Sequence, residues 1–110
     1  MMPGAAHVLL DDRGLLAVSG ADRRAFLQGL ISNDVDKVAG DRAIYAALLT
    51  PQGKYLHDFF VAELGETLYL DGEAARLDDL GRRLVLYKLR SKVTIAPAGP
   101  GWAVAARIGP

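Results

Sequence analysis

Residues 43–70 decide the fold, and they read AIYAALLTPQGKYLHDFFVAELGETLYL. Three apolar runs make up most of this stretch: 43–49, 55–63 and 67–70. Pro51 and Gly53 give a strong turn sequence between the first two runs, because proline presets φ and glycine permits a positive φ. Gly65 begins a second turn before the third run. The stretch therefore predicts three consecutive strands that pair antiparallel through short loops.

The sequence before this stretch predicts a hairpin and a helix. His7–Leu10 and Leu15–Ser19 are short apolar runs on either side of a turn sequence at Asp12–Gly14. A helix is predicted to begin near Asp22, which would be its cap or an acid of its first turn. Four residues would form its apolar face: Phe26, Leu27, Leu30 and Ile31. The polar sequence 32–34 is predicted to end this helix.

The sequence after the three strands predicts a second helix and two further strands. Asp71–Glu73 is predicted to start the helix, and Asp79 to lie on its solvated face. The apolar stripe of this helix has the spacing i, i+3, i+7: Leu77, Leu80 and Leu84. Lys92–Ala96 alternates apolar and polar residues, which is typical of a half-buried strand. Pro97–Gly101 is predicted to break the chain before a last strand at Trp102–Ile108.

Together these elements predict an α+β fold. Two helices would pack on one face of an antiparallel sheet, which is a ferredoxin-like plan. A length of 110 residues is room for a single domain.

The composition excludes several classes of function. Thirteen Lys and Arg balance thirteen Asp and Glu, which argues against a nucleic-acid-binding module. The absence of cysteine excludes a disulfide, a thiolate nucleophile and a Cys-ligated metal within this chain. No stretch approaches the ~20 apolar residues that span a bilayer, and no signal-peptide pattern is present. We therefore expect a cytoplasmic protein that binds neither nucleic acid nor membrane.

The charges are unevenly distributed along the chain. Residues 1–75 hold six basic and eleven acidic residues, a net −5, whereas residues 76–110 hold seven and two, a net +5. The densest basic stretch contains no acid: Arg82, Arg83, Lys88, Arg90 and Lys92. This basic stretch is either a solvated face or a surface for an anionic ligand or an acidic partner.

A polar pair, His57-Asp58, interrupts the second apolar strand. Because adjacent strand residues face opposite sides, one of the two should point toward the helices and the other toward solvent. Asp58 is either a hydrated or backbone-bound residue near the strand end, or an acid that binds a polar ligand amine. His57 is interpreted as a surface or internally satisfied residue. The sequence contains no phosphate-binding loop and no nucleophile elbow.

Three blocks of the sequence resemble the folate-binding superfamily that includes the glycine cleavage T-protein and the YgfZ-type proteins. They are LAVSGAD with AFLQGLISNDV (16–22 and 25–35), YAALLTPQGKYLHD (45–58) and LVLYKLRSKVTI (84–95). The third block is the most discriminating. It resembles the YgfZ branch, which includes mitochondrial iron–sulfur assembly relatives, more than the T-protein.

This resemblance implies the fold of the T-protein aminomethyltransferase and binding of tetrahydrofolate. The YgfZ branch supports the assembly or repair of [4Fe–4S] clusters in other proteins. In the T-protein an Asp after the strand–turn glycine contacts the folate, and a Tyr lines the folate pocket. Asp58 and Tyr45 stand at those places here. Asp71 stands where the T-protein has an Asn at the end of the third strand, and it completes the expected folate-binding set.

The chain also departs from the family pattern. The T-protein has a pair of acids where this chain has His57-Asp58, and Asp71 replaces the Asn, so neither place favours aminomethyl transfer. The K-G-C-x-x-G-Q-E motif of the YgfZ branch is missing. Family members are much longer, so residues 1–110 are interpreted as the N-terminal portion of such a protein, without its C-terminal part. We expect this portion to bind folate weakly or not at all by itself, and to self-associate through 102–108.

Three functions are compatible with these observations. The preferred one is a tetrahydrofolate-binding accessory protein for [4Fe–4S] assembly or repair, without enzymatic activity of its own. Its partners would be folate and iron–sulfur client or assembly proteins, and the basic stretch would attract the folate glutamate tail or an acidic client. The alternatives are a T-protein-like aminomethyltransferase and a stand-alone ferredoxin-like interaction domain.

Overall fold

Five strands, two α-helices and two single 3-10 turns make up residues 13–39 and 42–100, which are the residues that a computed structural model describes. The elements in chain order are β1 (Arg13–Ser19), α1 (Arg23–Gln28), β2 (Ile44–Leu49), β3 (Tyr55–Leu64), β4 (Thr67–Glu73), α2 (Leu77–Lys88) and β5 (Thr94–Pro100). The 3-10 turns are Val35–Lys37 and Ala74–Arg76.

The strands form one antiparallel sheet in the order β2-β3-β4-β1-β5. If β2 is set aside, the remaining order of β1-α1-β3-β4-α2-β5 is the ferredoxin-like arrangement, and β2 extends that sheet at one edge. The predicted α+β fold and the predicted meander of β2, β3 and β4 are confirmed.

The core lies between the sheet and both helices. Strand alternation turns every second residue toward the helices, so that Val18, Phe59 and Leu70 pack against Leu27 of α1 and Leu84 of α2. These side chains belong to one continuous apolar cluster. Both helices therefore cover the same face of the sheet. On the opposite face Leu15 and Ala62 form a second, smaller buried cluster.

Two predicted boundaries were wrong because strand pairing continues through them. Arg13 was assigned to a turn, but it pairs with Glu73 as the first residue of β1. Asp71–Glu73 was predicted to start a helix, but it completes β4, where Asp71 lies opposite Phe60 and Leu15. The pairing of β4 with β1 and β3 supplies backbone hydrogen bonds that override local turn propensity.

Two further boundaries differ from the prediction. Helix α1 ends at Gln28, so Leu30 and Ile31 pack against the core from the following turn. Pro97 does not break the chain, because β5 is an edge strand and tolerates a residue without an N–H. The predicted strands His7–Leu10 and Trp102–Ile108 lie outside the described residues. In the described part of the chain, the helices are too short or too polar to cross a bilayer.

The connection from β1 to α1 contacts the connection from α2 to β5. Asp22 donates its backbone N–H to the carbonyl of Lys92, and its Oδ2 accepts the N–H of Lys92 at 2.8 Å. Asp22 thus binds a distant loop rather than capping α1 with its side chain. Gly20 has a φ of 113°, and a Cβ there would overlap the carbonyl oxygen of Lys92. Only glycine fits at this close approach.

Gly20→Ala is expected to lower the free energy of unfolding by about 3 kcal/mol, because it adds both a strained φ and a clash with a backbone carbonyl. Gly53→Ala is the matched control, since Gly53 has a φ of 85° but open space around its Cβ position. The control should lose only about 1 kcal/mol. Urea denaturation of the two variants measures the difference, and equal losses would disprove the clash.

Candidate functional site

His57 and Asp58 of β3 point to opposite faces of the sheet, as strand alternation predicts. His57 is 3% exposed and faces the helices. Asp58 lies on the open face together with Tyr45, which is 53% exposed, and Phe60, which is 48% exposed. The open face therefore carries the candidate ligand-binding residues, and the helix face carries the contact of His57 with Asp79.

Two tyrosine hydroxyls bind the carboxylate of Asp58. Tyr45 of β2 donates to Oδ2, and Tyr55 at the start of β3 donates to Oδ1 at 2.8 Å. Both tyrosines are exposed, so the triad is open to solvent. The family resemblance assigned both Tyr45 and Asp58 to the folate site, and the structure brings these two residues into direct contact.

Tyr55 was not predicted in this role, because a β-bulge changes its side. Leu48 pairs with His57, but the next residue, Leu49, pairs with Tyr55, so Leu56 is an extra residue in β3. The bulge reverses the alternation of β3 at this point. It places Tyr55 on the same face as Asp58 although the two residues are separated by an odd number of positions.

The loop after α1 fixes the position of Tyr45. Asn33 donates its side-chain N–H to the carbonyl of Tyr45 at 2.9 Å, and the Ser32 hydroxyl accepts the N–H of Ala47 at 2.9 Å. The sequence assigned these polar residues only to the end of the helix. In the structure they bind the edge strand β2 and hold the tyrosine in register with β3.

Phe60, Asp71 and Arg13 continue the open face beside the triad. Tyr45, Phe60 and Asp71 are direct cross-strand neighbours on β2, β3 and β4. The Tyr45 and Phe60 rings meet edge to face at a centroid distance of 5.3 Å. Arg13 binds the carboxylate of Asp71 at 3.0 Å, and its guanidinium lies 6.0 Å from the centre of the Phe60 ring. Asp71 therefore lies on the same face of the sheet as Asp58, but Arg13 already neutralises its charge.

Hydrogen bonding fixes the protonation states of the triad. The hydroxyls of Tyr45 and Tyr55 hold the pKa of Asp58 below its ordinary value. The same hydrogen bonds to Asp58 raise the pKa of both tyrosines. At neutral pH the triad is a half-buried carboxylate that accepts hydrogen bonds, flanked by exposed aromatic rings. Such a site suits a flat ligand that carries N–H donors, and the described residues contain no cluster suited to a metal ion.

On the helix face, His57 is fastened to α2. Its Nε2 lies 2.7 Å from Oδ2 of Asp79, which also accepts a hydrogen bond from Arg83 at 2.8 Å. The ring nitrogen Nε2 of His57 thus has a hydrogen-bond partner inside the protein, which was one of the two interpretations of this residue from the sequence. The prediction of a solvated Asp79 was incomplete, since its half-exposed side chain reaches back to the buried imidazole.

In the structure, part of the basic stretch contacts an acidic side chain and part of it does not. Arg83 is engaged by Asp79, and Arg82 lies 3.8 Å from the same carboxylate. Among the described residues, no acidic side chain pairs with Lys88, Arg90 or Lys92. The basic stretch therefore lies at the end of α2 and in the following loop, on a different element from the Asp58 triad.

Comparison with known proteins identifies the family of this chain. The family model described as the GCVT N-terminal domain matches residues 10–110. The chain belongs to this family. The resemblance of the three sequence blocks is thereby confirmed.

Two curated relatives specify the branch of the family. An iron-sulfur cluster assembly factor IBA57 homolog, mitochondrial, from Coccidioides immitis is 33% identical over an alignment that covers 93% of this chain and 28% of that protein. The tRNA-modifying protein YgfZ from Yersinia pseudotuberculosis is 33% identical over 82% of this chain and 27% of that protein. The chain thus spans about a quarter of the length of these relatives.

A solved structure confirms the fold. The crystal structure of glycine cleavage system aminomethyltransferase T from Bartonella henselae matches with a TM-score of 0.73 at 19% identity. The match covers 81% of this chain and 25% of that one. The folded residues therefore share the architecture of one part of a GCVT-family protein.

Tyr45→Phe is expected to raise the pKa of Asp58 toward its ordinary value, because it removes one of the two donors that stabilise the carboxylate. Carbon-13 NMR of the Asp58 carboxyl during an acid titration measures this shift. Tyr87→Phe on α2 is the matched control and should leave the titration unchanged. An identical Asp58 titration in Tyr45→Phe would contradict the hydrogen bond.

Asp79→Asn is expected to change how stability depends on acid pH. Arg83, and after it His57, lower the pKa of Asp79 to about 2, from an ordinary value of 3.8. The charged form is thus favoured by folding, so its contribution is present above pH 3.8 and is lost as the pH falls toward 2. Asp79→Asn should flatten this part of the unfolding free-energy profile, measured by urea denaturation at several pH values. Asp78→Asn, on the same turn of α2, should retain the slope, and a wild-type slope in Asp79→Asn would contradict the assignment.

Proposed function

We propose that this chain is the tetrahydrofolate-binding N-terminal part of an accessory protein for the assembly or repair of [4Fe–4S] clusters. The observation that carries the proposal is the contact of Tyr45 with Asp58 on the open face of the sheet. These are two of the three residues that the family resemblance assigned to folate, and they come from different strands.

The chemistry of the triad supports folate as the ligand. The pterin portion of tetrahydrofolate carries N–H donors on a flat pyrimidine ring, and Asp58 is an ionised acceptor at neutral pH. The hydroxyls of Tyr45 and Tyr55 occupy its two oxygens, in positions that ring N–H donors of a ligand can take over. The exposed rings of Tyr45 and Phe60 offer apolar surface beside this acceptor.

The position of His57 favours an accessory role over aminomethyl transfer. The resemblance places the other acid of the T-protein pair at this position. Here the imidazole is buried on the helix face and bound to Asp79, so it offers no proton acceptor to a ligand on the open face. Asp58 is thus the one acidic member of the His57-Asp58 pair, and we assign it to binding.

The role in cluster assembly follows from the relatives. A homologue from Coccidioides immitis is named an iron-sulfur cluster assembly factor, and it is similar over nearly the whole of this chain. Because the chain spans about a quarter of that protein, the proposal assigns to it the folate-contacting face, while the remaining part of such a protein would complete the pocket. The cytoplasmic location stays a prediction.

Asp58→Asn is expected to weaken tetrahydrofolate binding about tenfold or more, because it removes the charge from the central acceptor. Tyr45→Ala should also weaken binding, through loss of both the ring and the hydroxyl. Isothermal titration of the protein expressed from its complete reading frame measures both effects. Titration of the 110-residue chain alone tests whether the open face suffices.

Asp78→Asn is the matched control for charge and should bind folate as the wild type does. If neither Asp58→Asn nor Tyr45→Ala weakens binding, the site assignment is wrong. Formation of methylenetetrahydrofolate from an aminomethylated lipoyl carrier would replace the accessory role with aminomethyl transfer.

The cluster role is tested separately in cells that lack their own protein of this family. The activity of a [4Fe–4S] enzyme in those cells should be restored by the wild type and by Glu66→Gln, which alters an exposed acid in the turn between β3 and β4, and restored poorly by Asp58→Asn. Full restoration by Asp58→Asn would separate cluster maturation from the folate site.

A further inference from the structure

An apolar groove runs between α2 and the edge strand β5. It has a volume of about 450 Å³. Its walls include Val85 and Leu86 of α2 and Ile95 and Pro97 of β5, and Leu16 of β1 lies among its lining residues. This groove shares no lining residue with the Asp58 triad, so it is distinct from the proposed folate site.

Gly81 keeps the groove open from within α2. A glycine in a helix interior costs roughly 1 kcal/mol relative to alanine. A Cβ at Gly81 would lie 3.5 Å from Cδ1 of Leu16, which is an ordinary van der Waals contact. Packing therefore does not require glycine here. The glycine at position 81 leaves space beside Leu16, inside the groove.

Large apolar side chains are exposed beside the groove. Leu86 is 75% exposed and Val85 is 52% exposed, one helical turn before the end of α2. Leu89 follows at the helix end with a φ of 45°, where glycine is usual, and it is 87% exposed. A leucine held in a strained conformation and in full contact with solvent contributes nothing to the core.

Basic side chains predominate around the C-terminal end of α2, although the carboxylate of Asp22 accepts the backbone N–H of Lys92. No acidic residue follows Asp79 in the sequence. Arg82 lines the groove, and Lys88, Arg90 and Lys92 follow it. Asp78 is the acidic lining residue, and it lies in the first turn of α2, at the opposite end.

We propose that the α2–β5 groove binds an acidic amphipathic helix of a partner protein. Apolar side chains of that helix fill the space beside Gly81 and cover Val85 and Leu86. Its carboxylates meet Arg82, Lys88 and Arg90 at the C-terminal end of α2, where these basic side chains outweigh the partial negative charge of the helix dipole.

A helix fits this surface better than an added strand. Pro97 removes one backbone N–H from β5, so an extended segment would form an interrupted ladder at this edge. A helix with apolar residues at i, i+3, i+4 and i+7 needs no backbone partner and presents a ridge to the groove.

The test uses a fluorescein-labelled synthetic peptide with leucine at i, i+3, i+4 and i+7 and glutamate at most other positions. Its binding to the 110-residue chain is measured by fluorescence anisotropy. The same peptide with lysine in place of glutamate is the charge control. The acidic peptide should bind, and the basic peptide should bind at least about tenfold more weakly.

Three variants locate the binding surface. Gly81→Ala should weaken binding about fivefold or more by placing a methyl group in the space beside Leu16, while its thermal stability equals or exceeds that of the wild type. Lys88→Glu combined with Arg90→Glu should weaken binding about tenfold. Lys54→Glu, in the exposed turn between β2 and β3, is the control for charge reversal and should bind normally.

Other results would overturn the proposal. Equal binding of the acidic and basic peptides, or binding that Gly81→Ala leaves unchanged, would show that the groove does not select this partner. Self-association in sedimentation velocity that is lost in Gly81→Ala would make the occupant a second copy of the chain. Binding to phosphatidylserine vesicles with the same dependence on the variants would make it a membrane surface.

Discussion

The alternation of β3 is the constraint on which both faces of this molecule depend. His57 and Asp58 are neighbours in sequence, yet one is buried against α2 and the other lies on the opposite face with Tyr45 and Tyr55. A shift of β3 by one residue would bury the carboxylate of Asp58 among apolar side chains, at a cost of several kcal/mol. The apolar partners of β3 in the core thus hold the ligand face in register.

The two faces are coupled through this one strand. The contact of His57 with Asp79 anchors the strand to α2, and the next residue carries the acceptor of the proposed folate site. The T-protein fold is retained. His57, which the resemblance aligns with one acid of the T-protein pair, faces the core, and Asp58 faces outward in the proposed binding role.

The sequence predicted most of the fold, because the apolar runs of β2, β3 and β4 and the stripe on α2 have unambiguous periods. The prediction from sequence missed features that arise only when the strands pair. The bulge at Leu56 brings Tyr55 to Asp58. Arg13 and Asp71, which lie in turn-forming sequences, are strand residues because they pair with residues of the neighbouring strands. Asp79 was misplaced for a related reason, since a carboxylate on a polar helix face can reach inward when a buried imidazole lies beneath it.

The order of strands in the sheet differs sharply from their order in the chain. β1 is the earliest strand of the described residues, but its two neighbours are β4 and β5, which are the last ones. During synthesis β2 can pair with β3 as soon as both leave the ribosome. The apolar β1 cannot pair with β4 until Thr67–Glu73 has been synthesised. Such long-range closure slows folding and leaves an unpaired apolar strand exposed to aggregation or to chaperones. The nascent chain, rather than the finished domain, is then the form of this protein most in need of protection.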